Sequence, residues 1–240
     1  MDSQSLRKAA EDGESDEVKA LLGSHASFSD LELANALSSA ARAGHSEVLG
    51  LLLSHGIPIN EQAFLGACTA EEPAVFEQFI DHGWDINSTE FGHTALSLVV
   101  SSYACTKFLL EKGADPNLGR EGGASPLAIA AFKPSAEVLD LILSFGAKMD
   151  PQALFNAIQL RGGGGIPVMK LLIERGADVN ARIKGKATPL HWAVRSGDKE
   201  RIQLLLENGA DKTNNSFAGR TPADLALEQG KTGIYEMLCG

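Results

Sequence analysis

The chain has 240 residues, 44% hydrophobic, 22% charged and only 6% aromatic, a balance ordinary for a protein with a buried core and better suited to thin, closely packed helices than to a wide sheet. Its net charge of −10 is uneven: residues 1–160 hold 9 basic and 22 acidic side chains (−13), whereas residues 161–240 hold 12 and 9 (+3). An acidic surface repels phosphate backbones, no run nears the roughly 18 apolar residues of a membrane span, and the polar stretch from Met1 to Lys19 lacks the apolar segment of a secretion signal, so nucleic acid and membrane are disfavoured and a cytoplasmic setting is expected, with the nucleus as the other candidate.

In chain order, Ser5-Leu6 and Ala9-Ala10 predict a first helix, Gly13 a turn and Leu21-Leu22 a second helix. Ser29-Asp30-Leu31-Glu32 opens the next as a capping box, and Leu52-Leu53 with Gly56 closes the pair. Asn60 then runs almost directly into Ala63-Phe64-Leu65, followed by Phe79-Ile80 and Gly83. Thr94-Ala95-Leu96 and Ser125-Pro126-Leu127 start two further pairs, which end at Leu109-Leu110 with Gly113 and Ile142-Leu143 with Gly146. Asp150-Pro151 leads into Ala153-Leu154-Phe155, the run Gly162 to Gly165 follows, and Leu172-Ile173 with Gly176 closes that pair. Last come Thr188-Pro189-Leu190-His191-Trp192-Ala193 with Leu205-Leu206 and Gly209, then Thr221-Pro222 with Leu225-Ala226.

These landmarks repeat. The stop glycines from Gly56 to Gly209 are spaced by 27, 30, 33, 30 and 33 residues, and Ala-Asp-x-Asn follows at 114–117 and 177–180. Each landmark has a physical reason: Ser or Thr caps a helix start, Pro fits its first position, and Gly takes the left-handed conformation that stops a helix. The Thr188 to Ala193 stretch with Gly197 closely resembles the ankyrin-repeat signature, and weaker copies span essentially the whole chain. The resemblance implies an all-α ankyrin-repeat solenoid with short β-hairpin fingers in some repeats. It implies one domain, 1–240, of eight units: 4–29, 30–60, 61–87, 88–117, 118–150, 151–180, 181–213 and 214–240.

The fourth, fifth, seventh and eighth units retain enough residues for a finger, with Gly92, Gly123, Gly185 and Gly219 near the expected turns, whereas the third and sixth lack about six. In this family the histidine at the place of His191 serves the scaffold through hydrogen bonds to backbone. Gly162 to Gly165 joins two helices without the Lys and Ser or Thr of a phosphate loop, so it reads as a turn insertion and a weak joint. Cys68, Cys105 and Cys239 lie far apart, lack zinc spacing, and stand where small buried residues belong; no metal or cofactor is expected. Trp84 stands where the repeat usually has a small Ala, a departure the sequence does not explain.

Family geometry sends inner-helix ends and fingers toward a ligand. The candidate binding residues are Ser101, Phe132, Lys133, Gln159 and Arg195 on helix ends, Trp192 partly core and partly lining the groove, and Phe91, His93, Arg120, Lys184, Phe217 and Arg220 on fingers. Phe91 and Phe217 are expected in solvent, available to a partner spanning the fourth to eighth units. No catalytic constellation is visible. The expected function is a scaffold or adaptor that binds another protein; the alternatives are a groove adapted to bind or convert a small molecule around Phe132, Trp192 and Arg195, and an inhibitor of a partner protein.

Overall fold

The computed structural model describes residues 2–24, 27–119, 123–161, 164–183, 187–216 and 219–240. They form sixteen helices in successive pairs. The first pairs are α1 (Asp2–Asp12) with α2 (Ser15–Gly23), α3 (Asp30–Ala43) with α4 (Ser46–Ser54), α5 (Glu61–Ala70) with α6 (Pro73–Asp81), and α7 (Ala95–Leu98) with α8 (Tyr103–Glu111). Next come α9 (Pro126–Ala130) with α10 (Ala136–Ser144) and α11 (Pro151–Gln159) with α12 (Gly165–Glu174). The last are α13 (Pro189–Ser196) with α14 (Lys199–Glu207) and α15 (Pro222–Glu228) with α16 (Thr232–Cys239). The described residues form an all-α stack of helix pairs, as the resemblance implied, and the chain divides into two compact units, Met1–Glu121 and Gly122–Gly240.

Within each unit the first helices of the pairs stack on one another and the second helices form a parallel layer, as α1, α3 and α5 do against α2, α4 and α6. The core lies between the layers, where Leu6, Leu37, Leu49, Phe64, Phe76, Phe79, Leu127 and Phe155 are fully buried. Each such side chain contributes roughly 1.5–3 kcal/mol by leaving water. Among the described residues no helix is long and apolar enough to cross a membrane.

The punctuation read from the sequence has structural counterparts. The six stop glycines from Gly56 to Gly209 have φ between 85° and 100°, where a Cβ would be strained. Asn60, Thr94, Ser125 and Thr221 each accept a backbone N–H at a helix start, and Ser29 with Glu32 completes the capping box. The Asn that closes the Trp84-Asp85-Ile86-Asn87 and Ala177-Asp178-Val179-Asn180 runs ties neighbouring repeats together. Asn87 Nδ2 donates to Gly113 O (3.3 Å) while its Oδ1 accepts Asp115 N–H (2.8 Å), and Asn180 repeats this with Gly209 and Asp211.

Left-handed residues cap the ends of α3 (Gly44, φ 80°), α5 (Glu71, φ 53°) and α13 (Gly197, φ 80°). The fourth and fifth repeats lack such a residue, and α7 and α9 stop after 4 and 5 residues. Buried Thr106 then takes up the freed Val99 carbonyl, its Oγ1 donating at 3.1 Å.

Strand is scarce among the described finger residues: an isolated antiparallel bridge joins Ile183 and Ala187, and Ser216 N–H donates to Arg220 O at 2.8 Å. With so few residues on each side, a two-stranded ribbon has little to hold it. One expectation needs correcting: Cys239 is exposed while Cys68 and Cys105 are buried, because Leu238 beside it takes the buried position. Burial pushes the Cys68 thiol up to about 12 and Cys105 to about 11, so neither supplies thiolate near neutral pH.

Candidate functional site

In the unit Gly122–Gly240 the Thr188-Pro189-Leu190-His191 start of α13 fixes the geometry. Thr188 N–H donates to His191 Nδ1 (3.2 Å), with Thr188 Oγ1 also 2.8 Å from that nitrogen. The proton therefore sits on Nε2, which donates to Arg220 O at 3.0 Å. Burial holds His191 below its ordinary 6.5, against the opposing effect of the Arg220 bond, and the Arg182 charge pushes the same way as burial. Both ring nitrogens are engaged in holding loops, as the family resemblance implied.

Pinning His191 orients the next residue. Trp192 is half-buried, its ring meeting fully buried Phe155 of α11 edge-on, with centroids 6.0 Å apart at 82°. Trp192 and Arg195 together border two hollows. One, of about 770 Å³, is also lined by Gln159, Arg161, Asp198 and Arg201; the other, of about 490 Å³, by His191, Arg220, Leu225 and Gln229. Both are open and mixed in polarity, suited to a chain segment more than to an enclosed metabolite. Lys231 Nζ donates to the carbonyls of Val194 and Arg195, 2.8 Å each, fixing the end of α13 beneath Arg195.

Arg201, which sequence reasoning missed, builds the floor of the larger hollow. It is 5% exposed; Nη1 donates to Ile158 O at 2.5 Å, Nη2 to Leu160 O, and Nε lies 3.3 Å from Asp198 Oδ2. The guanidinium thus satisfies carbonyls at the end of α11, where Leu160 turns extended and no left-handed residue closes the helix. Gly165 permits this approach: a Cβ there would stand 2.5 Å from Ala157 O and 3.1 Å from Arg201 Nη2. The sequence carried a signal for it. Eight positions before the stop glycines stand Val48, Val75, Cys105, Val138 and Val168, all buried, and then Arg201. A cation in a buried apolar column requires partners.

The remaining candidates are scattered. Phe132 (49% exposed) and Lys133 face solvent outside both hollows. In the unit Met1–Glu121, Ser101 Oγ donates to Glu71 Oε1 at 2.7 Å and His93 is half-buried. Phe91 is half-buried as well, its ring 5.3 Å from Phe64, which corrects the expectation of a finger ring held in solvent. The cause is the missing third finger, which leaves the start of α5 uncovered. Trp84, also close to Phe64 (5.9 Å), Phe76 (6.4 Å) and Phe79 (6.0 Å), fills the same space, and this accounts for the large residue in place of Ala. Arg120, Lys184 and Phe217 lie outside the described residues, as do Gly185 and two members of the glycine run, Gly162 and Gly163.

The comparisons with known proteins agree with this architecture. The family model described as Ankyrin repeats (3 copies) matches residues 64–153 and 154–240. The putative ankyrin repeat protein YahD of Escherichia coli (strain K12) is 32% identical over 65% of this chain and 84% of its own length. Ankyrin repeat and SOCS box protein 11 of Danio rerio is 36% identical over 44% of this chain, and the chain spans 36% of that protein's length. The crystal structure of the ankyrin repeat protein EF0377 matches with a TM-score of 0.65 and 29% identity, covering 76% of this chain and 98% of that one. The stop glycines, the Asn staples, the Thr188 to Ala193 signature and these matches converge: the chain belongs to the ankyrin-repeat family.

Proposed function

We propose that the chain is a protein-recognition module whose principal contact surface is the inner-helix edge around Trp192, with Gln159, Arg195 and Arg220 beside it. The observation that carries this reading is the setting of Trp192. A rigid aromatic ring backed by Phe155 stands between two open hollows with an exposed arginine one helical turn away. Tryptophan and arginine in such partly desolvated settings dominate binding energy at protein interfaces. Ankyrin repeats generally mediate protein–protein contact, which supports the same conclusion. Catalysis finds little support here, because both ring nitrogens of His191 are committed to Thr188 and Arg220.

Site-specific photo-crosslinking in the cells of origin tests the reading. A benzophenone residue at Gln159 or Arg195 is expected to yield a discrete protein adduct, whereas the exposed outer-helix positions Lys170 and Gln203 yield none. Trp192→Ala, checked for retained helicity, should remove the adduct. Equal labelling from both faces, or none from the Trp192 edge, refutes the proposal.

A further inference from the structure

We infer that the two hollows flanking Trp192 take an acidic peptide segment, with side-chain carboxylates set beside an aliphatic or aromatic residue. This deepens the recognition reading and rests on it. The larger hollow holds Arg161, Arg195 and Arg201 against a single carboxylate, Asp198, and that carboxylate is already ion-paired with Arg201. Arg161 and Arg195 are exposed, and among the described residues neither has an ion-pair partner. In the smaller hollow Arg195 recurs with Arg220, whose Nε lies 2.7 Å from Glu228 Oε1, and no carboxylate is among the lining residues. Lys231 is held on backbone carbonyls directly behind Arg195, adding a further positive charge to the same edge.

The positive field is local. Residues 161–240 carry +3 while the chain as a whole carries −10. A long polyanion such as nucleic acid would meet net repulsion from the rest of the chain, whereas a short acidic segment meets only the arginines. Guanidinium forks match carboxylates bidentately, and the exposed part of Trp192 offers apolar surface in the same hollow. Arg161 and Arg195 lining one hollow with the indole therefore select carboxylates flanking an apolar residue as the pattern.

Fluorescence anisotropy on the full chain provides the test. The probes are a fluorescein-labelled peptide library with a fixed Asp-Glu-Phe-Asp-Glu core and degenerate flanks, its amide counterpart with an Asn-Gln-Phe-Asn-Gln core, a phosphoserine version of the core, and oligo-deoxythymidine. The carboxylate library is expected to bind at least about tenfold more tightly than the amide library, with affinity falling as salt is added. Arg161→Ala and Arg195→Ala should each weaken it several-fold, and Arg195→Glu should abolish it. No measurable binding of the carboxylate library, equal binding of the amide library, preference for phosphoserine or oligonucleotide, or indifference to Arg195→Glu overturns the inference. Crosslinking at Gln159 and Arg195 that persists while carboxylate preference fails leaves the recognition reading standing. Loss of that crosslinking removes both.

Discussion

Replacing Arg201 by Val is the sharpest test of how the sixth and seventh repeats are joined. Valine restores the residue type found at this column in Val48, Val75, Val138 and Val168, so packing alone predicts a neutral or stabilising change. Polar accounting predicts the opposite. The substitution strands the carbonyls of Ile158 and Leu160, which now accept charge-assisted bonds worth roughly 1.5–3 kcal/mol each. Asp198 loses its ion pair as well, but at 35% side-chain exposure it stays partly solvated and contributes little. Against this stands relief of the cation's own desolvation and gain of apolar contact, so a net destabilisation of about 2–4 kcal/mol is expected. Urea denaturation measures the total, and hydrogen exchange should locate the loss at the end of α11 and the start of α12. A neutral or stabilised Arg201→Val, or a protection loss spread evenly over Gly122–Gly240, would refute the assignment of Arg201 as the clamp on this turn.

Three further substitutions probe other joints. Trp84 Nε1 is buried and has no hydrogen-bond partner among the described residues, so Trp84→Phe removes an unpaired donor and should change the melting temperature little, whereas Trp84→Ala should cost about 3–5 kcal/mol; equal losses would show that the indole itself is required and refute the reading of its N–H as an unpaired donor. Glu71 occupies the left-handed region at φ 53°, so Glu71→Gly should raise stability by up to about 1 kcal/mol despite losing the Ser101 contact, and a fall in the urea midpoint would show that contact outweighs the strain. His191 is held below 6.5 by burial, so the unfolded chain takes up its proton first, and the stability it contributes is complete above 6.5 and declines as pH falls below that value. His191→Gln should flatten that part of the pH profile, and an unchanged slope in the variant would exclude His191 as its source.

Most of the scaffold was legible because its signals are local. A capping side chain, a first-turn Pro and a stop glycine each act within a few residues, so Ser29, Pro189 and Gly176 could be read one at a time. The Asn in Asp-x-Asn was visible as a pattern, but its staple, 26 residues for Asn87 and 29 for Asn180, reaches along the chain to the next stop turn, which no local rule supplies. Long-range packing was likewise beyond local reading. Phe91 looked like a finger ring with nothing to enter, because Phe64 enters the reasoning only once the third repeat is known to lack a finger above it. Trp84 belongs to the same compensation. Of the candidate site, Gln159, Arg195 and Arg220, at inner-helix ends or a loop base of adjacent repeats, gather around Trp192 in the middle of α13, whereas Phe132 and Lys133 lie beyond both hollows.

The departures from the repeat, rather than the repeat itself, carry the specific chemistry. Where the third repeat loses its finger, the space fills with Phe64, Trp84 and Phe91, and the result is core. Where the sixth repeat loses its finger and gains glycines, the response is polar instead. No aromatic pile covers the α11 end; a buried arginine from α14 reaches across to its carbonyls, and Gly165 leaves room for it. The two compensations have opposite consequences for recognition. An apolar fill closes its region, whereas a guanidinium clamp holds a hollow open and leaves positive charge on its floor. Trp192 stands half-buried at the edge of that hollow, its ring backed edge-on by Phe155. Because no left-handed residue closes α11, Arg201 clamps that end, and the same clamp builds the floor of the hollow in which we propose that a partner's acidic segment docks.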